Sequence, residues 1–192
     1  MSNKFQKGFI FRQENCVGCG GCSVACQIHN ELPEDVRFRK VDLYEVRSAD
    51  SRVRDVWFSH ACMHCSNPTC LAVCPAAAFT KRPDGIVIID PEKAVGQKQI
   101  VDACPVGAVY WNEELQLPQK CTMCAHLLDD PDYPGKEPRC VEACPNQALV
   151  FGDLDDPDSP VSRKIAEGRV TQLSCLGEQG SSVVHLLSLI HI

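Results

Sequence analysis

Apolar residues in this chain come in short runs, not in long periodic stretches. Three of the runs follow the same phrase: Cys74-Pro75-Ala76-Ala77-Ala78-Phe79, Cys104-Pro105-Val106-Gly107-Ala108-Val109 and Cys144-Pro145-Asn146-Gln147-Ala148-Leu149. Each reads as a turn that leads into a short apolar strand. Between the first two lies Asp84-Gly85-Ile86-Val87-Ile88-Ile89-Asp90. An Asp-Gly turn ahead of a β-branched run is a hairpin signal. Lys98–Ala103 and Gln119–Leu128 read as short helices. The pattern predicts an α+β protein made of small repeated units.

Polar stretches separate these units. Residues 27–56 carry Arg37, Arg39, Lys40, Arg47, Arg52 and Arg54 interleaved with acids. They read as a charged insertion, a solvated surface first and a partner-docking surface second. Residues 153–158 (DLDDPD) read as an acidic linker. From Val170 a short, partly apolar tail is expected to lie on the module or on a partner. Its last residues, Leu187 to Ile192, fit no pattern of the repeat. No stretch approaches the roughly 20 apolar residues of a membrane span. Met1 to Asn15 lacks the apolar centre of a secretory signal. A cytoplasmic location is therefore expected. The net charge of −6 argues against a nucleic-acid binder, which would show a basic stripe.

Composition adds the chemistry. There are 14 cysteines in 192 residues and only 6% aromatics, so the core leans on something besides packing. Without an export signal, many cysteines read as metal ligands before disulfides. Cys16, Cys19, Cys22 and Cys26 form C-x2-C-x2-C-x3-C, the spacing of bacterial ferredoxin cluster loops. Cys62, Cys65, Cys70 and Cys74 form C-x2-C-x4-C-x3-C-P, and Cys121, Cys124, Cys140 and Cys144 form C-x2-C-x15-C-x3-C-P. Three thiolates in a short loop can reach three irons of one cubane while backbone N–H groups turn toward the sulfurs. The fourth cysteine points away, and the proline after it fixes the exit direction. It ligates the other cluster of a two-cluster module. Zinc would explain Cys121 and Cys124 with Cys140 and Cys144, but not the run from 16 to 26. The picture is of tandem ferredoxin-like βαββαβ modules.

One set of ligands is missing. Counting back from Cys104 by 4, 7 and 10 residues reaches Ile100, Gln97 and Ala94, none of which replaces a thiolate. Pairing then assigns three [4Fe–4S] clusters. Cys16, Cys19, Cys22 and Cys144 hold the first. Cys121, Cys124, Cys140 and Cys26 hold the second. Cys62, Cys65, Cys70 and Cys104 hold the third. Cys74 is stranded by the lost fourth cluster, and Cys175 reads as a plain free thiol. The first module spans 1–56 and 113–152, the second 57–112, and 153–192 forms linker and tail. His64 and His126 sit beside ligands and are read as neighbours of the sites, not as ligands. Lys120 is read as exposed, with a charge effect on a cluster as the alternative. Trp57 and Trp111 are read as packing. No catalytic acid, base or nucleophile stands out.

These residues carry a resemblance. Cys62-Met63-His64-Cys65, Asp84 to Ala94, Tyr110-Trp111-Asn112-Glu113-Glu114 and Gln119 to Asp130 resemble the iron–sulfur subunits of the dimethyl sulfoxide reductase family of molybdopterin oxidoreductases. The resemblance covers about residues 8–152. Within that family the chain looks most like small subunits of the pyrogallol–phloroglucinol transhydroxylase and catechol type, which also lack the third ligand group. It departs from them at Cys74, and it leaves no room for their extra C-terminal β domain. The resemblance implies a large catalytic partner holding a molybdenum or tungsten bis-pterin cofactor. It places the clusters of the first and last cysteine groups nearest that cofactor. It also implies a heterodimer that uses an external electron carrier or none. Such subunits can be exported as passengers of a twin-arginine-signalled partner, the alternative to the cytoplasm. A free-standing polyferredoxin, or a subunit whose clusters mainly hold an interface, are the other readings.

Overall fold

The computed structural model describes residues 6–47, 52–74, 77–168, 170–171 and 183–186, the last two segments as backbone alone. Its elements are short, because cysteine loops repeatedly interrupt the chain. The first part runs β1 (Lys7–Arg12), a 3-10 turn, α1 (Gly21–His29), β2 (Lys40–Arg47) and β3 (Val53–His60). Next come α2 (Thr69–Ala72), β4 (Phe79–Lys81), β5 (Val87–Ile89), α3 (Pro91–Ala94), α4 (Gln99–Asp102), β6 (Val109–Asn112) and β7 (Leu117–Lys120). The last part holds α5 (Ala125–Leu128), α6 (Arg139–Glu142), β8 (Leu149–Asp153), α7 (Pro160–Ala166), β9 (Val170–Thr171) and β10 (Val183–Leu186).

The strands form one four-stranded sheet, ordered β8-β1-β10-β9, and three two-stranded ribbons, β2–β3, β4–β5 and β6–β7. In the sheet, β1 runs antiparallel to β8, with Phe9 opposite Phe151. On its other side β10 runs parallel, with Phe9 opposite Val183. The tail thus returns to cover an edge of β1 that would otherwise present unpaired backbone groups. The strands at the two ends of segment 57–112 pair outward, β3 with β2 and β6 with β7. Isolated two-stranded ribbons are marginal in water, so these depend on what they pack against. Three apolar clusters supply that. One joins Phe9, Phe11, Met63, Ile86, Met123, Leu149 and Phe151 with Cys22 and Cys140. A second joins Ala78, Phe79, Val87, Ala94, Ile100 and Val109 with Cys74. The third joins Val36, Phe38 and Ala61 with Cys26 and Cys121.

All three Cys-Pro phrases end in strands: β4, β6 and β8. The third residue after each cysteine is left-handed, Ala77 at φ 48°, Gly107 at 58° and Gln147 at 50°. The Asp84-Gly85 hairpin also forms, with Gly85 at φ 84° and β4 antiparallel to β5. The expected helix over Gln119–Leu128 is corrected. Its first residues end β7, and only Ala125–Leu128 is helical. Met123 and Cys124 sit at φ 58° and 53°, a conformation through which no right-handed helix runs. The insertion is also more than a solvated surface. It contributes β2, and Val36, Phe38 and Arg39 are buried. After Asp153 the chain turns into α7, which Ser159 caps by accepting from the Ser162 N–H. Val161 of that helix is fully buried against Gly152 of β8. Cys175 and Leu187 to Ile192 lie outside the described residues.

Candidate metal centres

The C-x2-C turns that open the three cysteine groups share one backbone device. Their third residue is left-handed each time: Gly18 at φ 71°, His64 at 44° and Met123 at 58°. This turn aims an N–H back at the first sulfur. Met123 donates to Cys121 Sγ at 3.3 Å, and His64 donates to Cys62 Sγ at 3.5 Å. A Gly18 backbone hydrogen bond likewise favours the Cys16 thiolate. The Cys-Pro phrases add another. Ala108 donates to Cys104 Sγ at 3.3 Å and Ala148 to Cys144 Sγ at 3.2 Å. Such bonds stabilise sulfur that carries negative charge.

Tertiary packing gathers the cysteines around three cavities. Cys16, Cys19, Cys22 and Cys144 wall the first. Cys26, Cys121, Cys124 and Cys140 wall the second. Cys62, Cys65, Cys70 and Cys104 wall the third. Among the described residues, no three His, Cys, Asp or Glu side chains close on a single-ion position. A tetrahedral zinc site draws its sulfurs to about 2.3 Å from one point. Thiols spread around a volume suit a polynuclear group instead. Cys74 walls none of these cavities and packs among Ala78, Ala94 and Ile100.

The donor set calls for a cation. Burial pushes Cys26 up to about 12, with repulsion from Cys140 adding to it. Burial raises Cys70 to about 12, and Cys65 and Cys124 to about 11. Cys121 rises further, again through burial first and then repulsion from Cys26. Four such thiols become thiolates together only when metal charge replaces the missing water. The cavities are also neighbours. Cys140 bears on Cys22 of the first, and Cys62 of the third bears on Cys121 of the second.

A family model described as 4Fe-4S dicluster domain matches residues 53–154. A tetrathionate reductase subunit of Salmonella typhimurium is 38% identical over 182 residues, covering 94% of this chain and 71% of the relative. An anaerobic dimethyl sulfoxide reductase chain of Escherichia coli is 36% identical over 160 residues, covering 79% and 75%. The pyrogallol hydroxytransferase small subunit of Pelobacter acidigallici is 38% identical over 162 residues, covering 79% and 58%. The protein belongs to the iron–sulfur subunits of the dimethyl sulfoxide reductase family. Identities this close to one another do not single out the transhydroxylase branch.

In this iron–sulfur subunit several side chains near the cavities differ from what the sequence suggests. Lys120 is not exposed but 2% accessible. Its ammonium donates to the Val87 carbonyl and, at 3.0 Å, to that of Cys121. It lines the third cavity. Arg39 is 3% accessible and lines the second. Its local sequence does not separate it from exposed Lys40 next to it, so only the fold reveals it. His64 is buried, and its Nδ1 accepts from the Val87 N–H at 3.0 Å. Burial, with Lys120 and Lys81 nearby, holds its imidazole neutral. It serves as an acceptor for β5 and does not line the third cavity. His126 stacks on His29, their Nε2 atoms 2.8 Å apart. Trp57 lies over the first ligand loop, where a Cβ on Gly18 would touch its ring. Among the described residues no helix is long and apolar enough to cross a membrane.

Proposed function

We propose that this subunit holds three [4Fe–4S] clusters and relays electrons to or from a large catalytic subunit carrying a molybdenum or tungsten bis-pterin cofactor. The observation that carries the reading is the walling of three adjacent cavities by four cysteines each. Each cluster takes the set of four that walls its cavity, and Cys74 takes part in none. When bound, such a group cycles between two states one electron apart. The chain's own part is to hold the sulfurs, shield them from water and donate N–H groups to them. Domain boundaries follow the ligands: 1–56 with 113–152, and 57–112, each as a ferredoxin-like βαββαβ module. Pairing of β1 with β8 favours the first of these.

The first cavity reaches the surface at Cys19. Cys19 is exposed, and so is Val17 beside it, while Val24 and Ile28 expose the outer face of α1. Apolar groups of this kind mark interaction sites, and we place the catalytic subunit there. The partner's chemistry is of the transhydroxylase or catechol dehydroxylase type, the complex is cytoplasmic, and an external carrier exchanges electrons at the third cavity. The test is anaerobic purification of the complex with iron, sulfide and zinc analysis. About twelve irons and twelve sulfides per chain are expected, three clusters of four. Stoichiometric zinc, or iron that is not reoxidised at the rate of turnover, would overturn the relay.

A further inference from the structure

Two buried cations stand beside the three cavities without a carboxylate to neutralise them. Arg39 and Lys120 are 3% and 2% accessible. Among the described residues neither forms an ion pair with Asp or Glu. A buried charge with no counter-charge is strongly unfavourable, so the arrangement demands an anion nearby. The thiolate sets supply it. A [4Fe–4S]2+ core with four thiolates carries a net charge of about −2, and reduction adds another negative charge.

The geometry assigns the cations to particular cavities. The Arg39 guanidinium lines the second cavity, and its buried Nε–H has no acceptor among the described residues. Its Nη1 donates to Ser59 Oγ at 3.2 Å, and Ser59 lies 3.6 Å from Cys22 Sγ while lining the first cavity. The group is clamped from two sides. It lies 5.3 Å over the Phe9 ring, and its backbone carbonyl accepts from Ser23 Oγ at 2.7 Å. Burial opposes its charge, and the thiolates of Cys140, Cys121 and Cys22 more than offset this. Lys120 lines the third cavity alone of the three, tethered by two backbone carbonyls.

We propose that Arg39 and Lys120 are positioning residues that set reduction potentials, Arg39 for the clusters of the first two cavities and Lys120 for that of the third. This rests on the cluster reading above. A fixed buried cation stabilises the more negative, reduced state more than the oxidised one, so each raises the potential of the groups it faces. Arg39 bears on two adjacent sites, because an electron on either is attracted by the same charge.

The test is a redox titration of the anaerobic holo complex at one pH, followed by electron paramagnetic resonance, with iron content measured alongside. Signals are assigned by their loss or conversion in Cys19→Ser, Cys124→Ser and Cys65→Ser. Arg39→Gln is expected to weaken reduction of the first two clusters at least tenfold, about 59 mV for a one-electron couple, and to leave the third in place. Lys120→Met is expected to lower the third and spare the first. Arg39→Lys should recover part of the loss. Unchanged midpoints at full iron content, or equal shifts of all three in both variants, would overturn the proposal. If Arg39→Gln loses iron, Lys120→Met decides, since it removes the other buried charge and lines the third cavity only of the three. A third midpoint lowered against an unmoved first supports the proposal, and an unmoved third one refutes it. Wild-type protein without three one-electron signals would refute the cluster reading itself.

Discussion

Gly18 and Gly20 offer a matched test of how tightly the first ligand loop is built. Both are left-handed, at φ 71° and 73°. A methyl at Gly18 would stand 2.1 Å from Trp57 Cε2 and 2.2 Å from Cδ2, whereas one at Gly20 would meet nothing within 4 Å. Carbon atoms normally approach to about 3.5 Å, so the Gly18 overlap exceeds an ångström and falls on a ring, not a flexible tip. Gly20→Ala should therefore cost only the backbone term, about 1–2 kcal/mol. Gly18→Ala adds overpacking of about 1–3 kcal/mol, for a total of roughly 2–5 kcal/mol. It should also displace Cys16 and Cys19, which flank it, and so lose the iron of the first cavity. The assay is denaturant unfolding of the anaerobic loaded protein, with iron counted per chain. Trp57→Ala combined with Gly18→Ala should recover stability beyond the additive expectation, since the ring is the obstacle. Equal losses for the two glycines, or purely additive behaviour with Trp57→Ala, would refute the reasoning.

Cysteine exchange tests which thiols hold metal: Cys104→Ser should abolish or convert the cluster of the third cavity, while Cys74→Ser should leave about twelve irons in place. The opposite pattern, read by iron analysis and paramagnetic resonance, would mean that the second cysteine group keeps its own fourth ligand. His64 should make stability depend on pH. Its folded-state pKa lies well below the ordinary 6.5 because of burial, so the unfolded protein takes up the extra proton. Its contribution is therefore complete above about pH 6.5 and is lost as pH falls below it, by up to about 1.4 kcal/mol per unit. His64→Asn keeps an acceptor for the Val87 N–H and suits φ 44°. Unfolding measured from pH 8 to 5.5 should lose that slope, and an unchanged slope would rule His64 out as its source.

The legible parts of the molecule are those whose causes lie close together in the chain. The Asp84-Gly85 hairpin needs only a left-handed glycine between two β-branched runs. The strands after Cys74, Cys104 and Cys144 follow one repeated Cys-Pro phrase. The fold departs from the local pattern where that pattern has two outcomes. Gln119–Leu128 carries helix-forming residues at both ends, but Met123 and Cys124 take the left-handed turn of a ligand loop and split it. The dense charges of the insertion predict a solvated surface. Yet β2 pairs along the whole of β3, and the residues ahead of it bury Val36 and Phe38. Residue type alone predicts an exposed Lys120. Its burial depends on the carbonyl of Val87, a residue 33 positions away.

The sequence by itself determined the chemistry. A C-x2-C turn brings an N–H onto a sulfur within three residues, and that geometry needs nothing from the rest of the fold. The absence of cysteine at 94, 97 and 100 is likewise a local fact, and the fold adds only that Ala94 and Ile100 fill their space with Cys74. Tertiary structure alone decided which charges lose their water. Arg39, Lys40 and Arg37 differ little in sequence, but only Arg39 meets Phe9, Ser59 and the cysteines of two cavities. Burial is a property of what folds over a residue, from β1, β3 and α6 at Cys140. No local pattern of hydrophobic and polar positions contains it.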